Sequence, residues 1–255
     1  MTSRRSAGAR GEAIPKEVTT EGVVPPDFSA WARHLIDELP EDMPADELAL
    51  LNCQLRSLTT RAQAADLLPP DSTTPQVIRH RKSLKQVAAQ VVRADEVVID
   101  LETSSLDARS GEIVGVGLAA TGVNFYLPIG HRFAETGGLR PDQLPLDAVV
   151  RELRLHQLPL VGHNTKFEFR WLRHHAGVSC RFVWDVMLAA RLLRSDLPAE
   201  LKDLAVRELD VPDWGLSKAD IARVQFLPIE HVARYCGKDC RYTLELYWRQ
   251  RSCLV

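Results

Sequence analysis

The chain has 255 residues, of which 45% are hydrophobic and 26% are charged, and its formal net charge at pH 7 is −2. These values are typical of a globular protein with one large domain and an appendage, and they exclude the strongly basic class that coats duplex nucleic acid. No apolar run is long enough to span a membrane or to act as an export signal, so we expect a cytoplasmic protein with no membrane partner. The five cysteines include no CxxC pair, which argues against a zinc ribbon.

The N-terminal part of the chain differs in amino-acid composition from the rest. Residues 1–26 are rich in Arg, Gly, Ser, Thr, Glu and Pro, which predicts a disordered arm. Apolar residues then recur at helical spacing over 28–39 and 45–68, so residues 27–75 predict a small helical appendage that ends in a proline-rich linker. We expect one larger domain to occupy residues 76–255.

Within this larger domain, strand patterns alternate with helix patterns. Strands are predicted at 77–80, 96–101, 113–119, 123–128 and 158–161, and helices at 83–92, 146–153, 166–175, 185–194, 198–209 and 228–250. The third and fourth strands flank a Thr-Gly turn, which predicts an antiparallel meander. The last strand follows a helix, which predicts parallel pairing. The expected fold is therefore α/β, with a mixed central sheet flanked by helices.

Two carboxylates interrupt the apolar strand at 96–101. Asp100 and Glu102 are two residues apart, so they lie on one face if the strand continues through them. Neighbouring buried charges of one sign need a positive partner, and a divalent cation is the usual one. In the alternative interpretation, Glu102 merely ends the strand and Asp100 caps a turn. A metal site is favoured only if further carboxylates converge on the same point.

Two further segments carry candidate carboxylates. Glu168 lies in the first turn of the helix predicted after the strand at 158–161, although Thr165 and Glu168 also have the spacing of a capping box. Tyr235 and Asp239 are four residues apart in the last helix, so they share one face at the margin of its apolar stripe. The alternative for this pair is a solvated helix edge, whereas Cys236 and Cys240 lie on the stripe and are expected in the core.

Four segments of the chain resemble, in order, the successive motifs of the DEDDy 3′-5′ exonucleases. They are VVIDLETSSLD, VGHNTKFEFRWL, RFVWDVMLAARLL and YCGKD. The resemblance is strongest to the proofreading domain of family A DNA polymerases of the DNA polymerase I type, and it covers about residues 77–250. It implies the ribonuclease H-like fold and a nuclease site that holds two divalent cations, Mg²⁺ or Mn²⁺.

The resemblance also implies roles for individual residues. Asp100 would bridge both metals, Glu102 and Asp239 would complete the more buried metal site, and Tyr235 would hold the attacking water in line with the phosphodiester. Glu168 stands where the family pattern has Asp. The extra methylene moves the carboxylate by about one bond length, and displacements near 1 Å can cost roughly a hundredfold in rate.

The resemblance also predicts which residues contact the substrate. The resemblance implies that Thr103, Leu106 and Asn164 contact the terminal nucleotides. It also matches Asp185 to a structural position, which we expect to cap the next helix. Lys166 begins a basic helix, continued by Arg170, Arg173, His174 and His175, which either meets the phosphate backbone or is a solvated face. Trp214 either stacks on a base or packs in the core, and His163 is expected to make local hydrogen bonds.

The leading functional hypothesis is therefore a metal-dependent 3′-5′ exonuclease that releases nucleoside monophosphates from single-stranded or frayed DNA ends. Only 16 residues follow Asp239, so we expect no polymerase domain in this chain and a possible DNA polymerase partner acting in trans. One alternative is an RNA 3′-end exonuclease resembling ribonuclease D. Another is a catalytically weak exonuclease fold that serves as a nucleic-acid-binding or docking module, and Glu168 keeps that alternative open.

Overall fold

The structure, a computed structural model, describes residues 74–254. The arm predicted at 1–26 and all but the last two positions of the predicted appendage lie outside these residues. Within the described part, no helix combines the length and the apolar character that crossing a membrane requires.

A six-stranded mixed sheet forms the centre of the described chain. Its strands are β1 (Gln76–Val77), β2 (Val97–Thr103), β3 (Ile113–Ala120), β4 (Val123–Pro128), β5 (Leu160–Gly162) and β6 (Phe182–Asp185), in the order β1-β4-β3-β2-β5-β6. Strands β2, β3 and β4 form the predicted antiparallel meander, whereas β5 pairs in parallel with β2. The carboxylate strand β2 therefore lies between the antiparallel and parallel parts of the sheet.

Helices cover both faces of the sheet. They are α1 (Arg81–Val91), α2 (Leu146–Leu153), α3 (Lys166–Ala176), α4 (Val186–Leu193), α5 (Leu201–Leu209), α6 (Lys218–Ile221) and α7 (Ile229–Leu254), with a 3-10 turn at Val224–Phe226. Buried residues of α1, α2 and α3 share one apolar cluster with Ile99 and Leu101. Buried residues of α4, α5 and α7 share the other cluster with Val98. Because side chains alternate along a strand, Asp100 and Glu102 point to the α7 face.

Most of the predicted elements are confirmed to within a few residues, and their ends have local causes. Helix α3 stops where Gly177 adopts a left-handed φ of 65°, a conformation that glycine reaches without steric cost. Helix α7 begins directly after Pro228, whose carbonyl accepts from Val232 at 3.2 Å. The prediction missed β6, and it ended β2 before Glu102, although the strand runs on to Thr103.

A glycine on β3 lets α7 approach the sheet closely. Gly117 pairs with Asp100 across the β2–β3 ladder, and a Cβ atom at Gly117 would clash with the sulfur atoms of Cys236 and Cys240. Both cysteines are fully buried, as their place on the apolar stripe predicted. On the same helix, the Gly237 carbonyl accepts from Asn124 Nδ2 of β4 at 2.9 Å. The helix that carries Asp239 therefore lies directly on the carboxylate strand.

Candidate active site

Three carboxylates from two elements meet on the α7 face of the sheet. Asp100, Glu102 and Asp239 each offer an oxygen atom, and these atoms lie within 4.8 Å of one another. Glu102 and Asp239 are 8% and 7% exposed, so neither is at a solvated edge. Asp100 and Glu102 pair with Gly117 and Gly115 of β3, so the interpretation of Asp100 as a turn cap is wrong.

The charge of this cluster is incompletely compensated within the protein. Burial, and then the nearby Asp239, raise the pKa of Asp100 to about 7. Burial, followed by the charges of Asp100 and Asp239, raises the pKa of Glu102 well above its usual range. The Cys236 thiol donates to Asp100 Oδ2 at 3.4 Å, but among residues 74–254 no donor reaches Glu102 Oε1. Such a pocket favours a cation that the side chains alone do not supply.

Asp239 has two partners that the sequence interpretation did not assign to the site. Lys202, in the first turn of α5, places its ammonium on Asp239 Oδ1, and Trp214 Nε1 donates to the same oxygen at 2.5 Å. Trp214 is half-buried and packs on the Tyr242 ring at a centroid distance of 4.5 Å. Trp214 is therefore a neighbour of the carboxylates, rather than only a core residue.

Tyr235 lies one helical turn before Asp239 and faces the same space. The Lys202 Nζ atom lies 4.5 Å from the centroid of its ring. Burial, and then the charge of Asp239, raise the pKa of Tyr235 far above its usual value. The hydroxyl therefore stays protonated at neutral pH and can donate a hydrogen bond beside the carboxylates.

Glu168 lies in the first turn of α3. Its side chain is 3% exposed, and within the described residues Oε2 has no hydrogen-bond partner. Burial, and then the charge of Asp100, raise the pKa of Glu168 well above its usual range. Glu168 therefore interacts electrostatically with Asp100, although it is not one of the three carboxylates that lie within 4.8 Å of one another. The capping-box interpretation is wrong, because the Thr165 hydroxyl makes no cap and donates to Asp185 instead.

Asp185 joins two helix starts. Its Oδ1 accepts from the backbone amides of Met187 and Leu188, which confirms the predicted cap of α4. The same carboxylate also accepts from the amides of Asn164 and Thr165, at 3.1 and 2.8 Å. Asn164 has a φ of 60°, so this second set of bonds holds a residue in a backbone conformation that few non-glycine residues adopt. The sequence had indicated only the first role.

The residues expected to contact nucleotides leave the sheet at one edge, because β2 and β5 are parallel. The Thr103 hydroxyl donates to the Ser105 carbonyl at 2.8 Å, and Leu106 is 84% exposed in the loop that follows. Asn164 and the exposed Lys166 lie just after β5. His163, at the same edge, shares a 2.7 Å hydrogen bond with the Ala199 carbonyl, which is the local role expected for it.

A family model described as 3′-5′ exonuclease matches residues 75–250. The chain belongs to this 3′-5′ exonuclease family. It is 30% identical over 224 residues to DNA polymerase I of Chloroflexus aurantiacus, which is 82% of this chain and 22% of that protein. It is also 30% identical over 192 residues to DNA polymerase I of Synechocystis sp., covering 68% of this chain and 18% of that one. The exonuclease chain thus spans about a fifth of the length of these relatives.

Solved structures support the fold assignment of this exonuclease family member. The catalytic core of RRP6 from Trypanosoma brucei superposes with a TM-score of 0.56 at 18% identity, over 74% of this chain and 49% of that one. Ribonuclease D of Trypanosoma brucei in complex with RNA U12 gives 0.54 at 16% identity, over 75% and 64%. These neighbours confirm the predicted ribonuclease H-like fold.

Proposed function

We propose that the chain is a metal-dependent 3′-5′ exonuclease that hydrolyses phosphodiester bonds at single-stranded or frayed DNA 3′ ends and releases nucleoside monophosphates. The observation that carries the proposal is the convergence of Asp100, Glu102 and Asp239 within 4.8 Å, in a cluster whose negative charge Lys202 offsets only in part. Evolution rarely retains such an arrangement for stability alone, because three buried carboxylates oppose folding unless a cation joins them.

The donor set fits two divalent cations of the Mg²⁺ or Mn²⁺ type. Hard carboxylate oxygens suit these ions, and Asp100, Glu102 and Asp239 would hold them. Glu168, with its unpartnered buried oxygen, would hold the second ion. When bound, such ions stabilise negative charge at the attacking and leaving oxygens of phosphodiester hydrolysis.

Asp100 could instead share a metal with the sulfur atoms of Cys236 and Cys240, which also lie within 4.8 Å of it. Burial raises the pKa of the Cys236 thiol well above its usual value and that of Cys240 to about 11. Both thiols are therefore protonated at neutral pH, and thiolates are the form that binds metals. The all-oxygen set is the better candidate.

The remaining residues would orient the reacting groups. The protonated Tyr235 hydroxyl would donate a hydrogen bond that holds the attacking water beside the scissile phosphodiester. Thr103, Leu106 and Asn164 would contact the terminal nucleotides, and Lys166 would offer its ammonium to a phosphate. The hydrogen bonds that the Asn164 and Thr165 amides donate to the Asp185 carboxylate keep that segment in one geometry before substrate arrives.

A time course on a 5′-labelled single-stranded DNA oligonucleotide tests the proposal. We expect a ladder that shortens from the 3′ end with Mg²⁺ or Mn²⁺ and that is absent with chelator. The Asp100→Ala protein, checked by circular dichroism for an intact fold, should leave the oligonucleotide whole. Tight binding of 3′ ends without any shortening in either metal would instead favour the catalytically weak binding module.

The RNA alternative rests on the fold likeness to ribonuclease D, whose complex contains RNA U12. Matched DNA and RNA oligonucleotides of one sequence separate the two candidates by their ratio of kcat/KM. The similarity to DNA polymerase I supports the DNA hypothesis. On that hypothesis the substrate is a 3′ end of the kind that a polymerase leaves, whether the polymerase is joined to the exonuclease or acts in trans. We propose that the exonuclease domain occupies residues 76–255.

Glu168 gives a sharper test of the second ligand position. Glu168→Asp withdraws the carboxylate by about one bond length from a pocket that is closed around the longer side chain, so we expect the turnover rate to fall by roughly 10- to 100-fold. Single-turnover rates with saturating Mn²⁺ give the measurement, and Glu152→Asp on α2 is the matched control. A rate above wild type would mean that the natural site is detuned by glutamate.

A basic cleft of about 380 Å³ lies between α3 and the loop after β2. Arg109, Arg170 and Arg173 line it together with Asp107, and none of the three guanidinium groups makes a salt bridge among residues 74–254. Both bordering elements also carry proposed nucleotide contacts. The cleft is therefore a suitable path for the phosphates of the strand upstream of the cleaved end.

We expect the double variant Arg170→Glu/Arg173→Glu to raise KM for a 20-nucleotide strand roughly tenfold at low salt, because two phosphate contacts are lost. KM for a trinucleotide and both kcat values should stay unchanged. Arg81→Glu/Lys82→Glu makes the same charge change on α1 and serves as the control. Equal losses on both substrate lengths would place the effect at the cleavage site rather than along the strand.

A further inference from the structure

Lys202 is the one lysine or arginine of the described chain that makes an ion pair with a carboxylate of the cluster. Its side chain is 28% exposed, and its ammonium contacts Asp239 Oδ1. Two aromatic rings flank the ammonium: Trp214, with its centroid 4.4 Å from Nζ, and Tyr235, with its centroid 4.5 Å away. The two ring faces attract positive charge independently of the carboxylate, so this position favours a cation.

The effect of this ammonium extends beyond Asp239. Asp100 and Glu102 each place an oxygen atom within 4.8 Å of an Asp239 oxygen, so the same positive charge also attracts these two carboxylates. Lys202 thus offsets part of the repulsion among the three carboxylates. The offset is available without any bound ion, and it depends on α5 packing against α7.

We propose that Lys202 is a resident counter-cation that holds the Asp239 carboxylate in place in the metal-free protein and that an incoming divalent cation displaces. This inference rests on the proposed function, because it assumes that Asp239 is a metal ligand. Lys202 is a positioning residue in this account. It acts through Asp239 and Tyr235.

Electrostatic repulsion is the reason for displacement. An ammonium and a divalent cation on one carboxylate repel each other, and the repulsion is strong in a pocket that water screens poorly. The lysine stem is flexible and partly exposed, so Nζ can leave Oδ1 and remain against the rings of Trp214 and Tyr235. Lys202 therefore competes with the metal for Asp239 while keeping the empty site assembled.

Lys202→Met in the full chain tests this competition, because methionine keeps the apolar stem between the rings and removes the charge. Mn²⁺ binding is measured at pH 8 by calorimetry and by electron paramagnetic resonance, together with Tm in chelator and in saturating Mn²⁺. We expect Mn²⁺ to bind about tenfold more tightly than in wild type. We also expect a Tm that is lower than wild type in chelator and close to wild type in Mn²⁺.

Two further variants make the outcome decisive. Lys202→Arg keeps the charge, so its Mn²⁺ affinity should stay at or below that of wild type, and Lys85→Met on α1 should match wild type in every readout. Unchanged or weaker Mn²⁺ binding by Lys202→Met, with wild-type binding intact, would overturn the inference and leave the proposed function standing. If Lys202→Met does not fold, Lys202→Gln takes its place, with the same expected result. Wild-type protein that binds no Mn²⁺ would overturn the proposed function itself.

Discussion

Replacement of Asp100 by asparagine should abolish turnover and, at the same time, make the metal-free protein more stable at pH 7.5. The loss of turnover, at least a thousandfold, follows because asparagine is a poor ligand where a bridging carboxylate is proposed. The gain in stability follows from the pKa of Asp100, which burial and Asp239 raise to about 7 from an ordinary value of 3.8.

The sign of the pH dependence follows from proton binding. Between about pH 4 and pH 7 the folded protein retains a proton on Asp100 that the unfolded chain has lost, so the free energy of unfolding falls as pH rises through this window. Asparagine does not ionise and avoids this loss. After a discount for the partial exposure of Asp100, we expect a gain of about 2 kcal/mol at pH 7.5.

Thermal unfolding in chelator at pH 5.5 and pH 7.5 measures this effect. The Tm of the wild-type protein should fall from pH 5.5 to pH 7.5, and the Tm of Asp100→Asn should fall less. Saturating Mg²⁺ should raise the Tm of the wild-type protein at pH 7.5 again, because the ion binds the folded state. Asp203→Asn, an exposed carboxylate on α5, is the control. An Asp100→Asn protein that degrades DNA at the wild-type rate would show that the proposed site is wrong.

Gly117→Ala should strongly destabilise the fold. The added methyl would overlap the sulfur atoms of Cys236 and Cys240, both of which are fully buried. Overpacking of this kind costs about 3 kcal/mol at the upper end of its usual range. Because the same helix carries Tyr235 and Asp239, a shift of about 1 Å should also lower turnover by roughly 100-fold.

Chemical denaturation and single-turnover kinetics test Gly117→Ala together. The denaturation midpoint should fall with little change in slope, which indicates lost stability rather than a different folded state. Gly138→Ala is the matched control, because a Cβ there would meet only Thr136 Oγ1 at 3.3 Å. Adding Cys236→Ala and Cys240→Ala to Gly117→Ala should recover part of both losses. No recovery would mean that the clash with sulfur is not the cause.

The parts of the fold that follow local patterns could be predicted from the sequence. Period-two alternation identified β3 and β4, and the Asp100–Glu102 spacing correctly predicted one shared face of β2. The spacing of Tyr235 and Asp239 predicted one face of α7. Each of these inferences needs only residues that are neighbours along the chain, and the ordered motifs supplied the rest of the fold class.

The parts that depend on packing between distant segments could not be predicted in the same way. Lys202 and Trp214 are remote from every motif, and only the packing of α5 and the following loop against α7 brings them to Asp239. Gly117 belongs to a strand of ordinary pattern, and its importance arises from two sulfur atoms on another element. The short strand β6 carries little alternation of its own, and it exists because it pairs with β5.

The distance along the chain between Asp100 and Asp239 has a consequence for synthesis. Strand β2 is made early and α7 is the last described element, so a growing chain holds Asp100, Glu102 and Glu168 long before Tyr235 and Asp239 exist. Until α7 packs on the sheet, the cluster lacks Asp239 and Tyr235, which we propose as a metal ligand and as the residue that holds the attacking water. On the proposed mechanism, a chain that is still being translated, or that has been cut ahead of α7, has an incomplete site and should not cleave the nucleic acids around it.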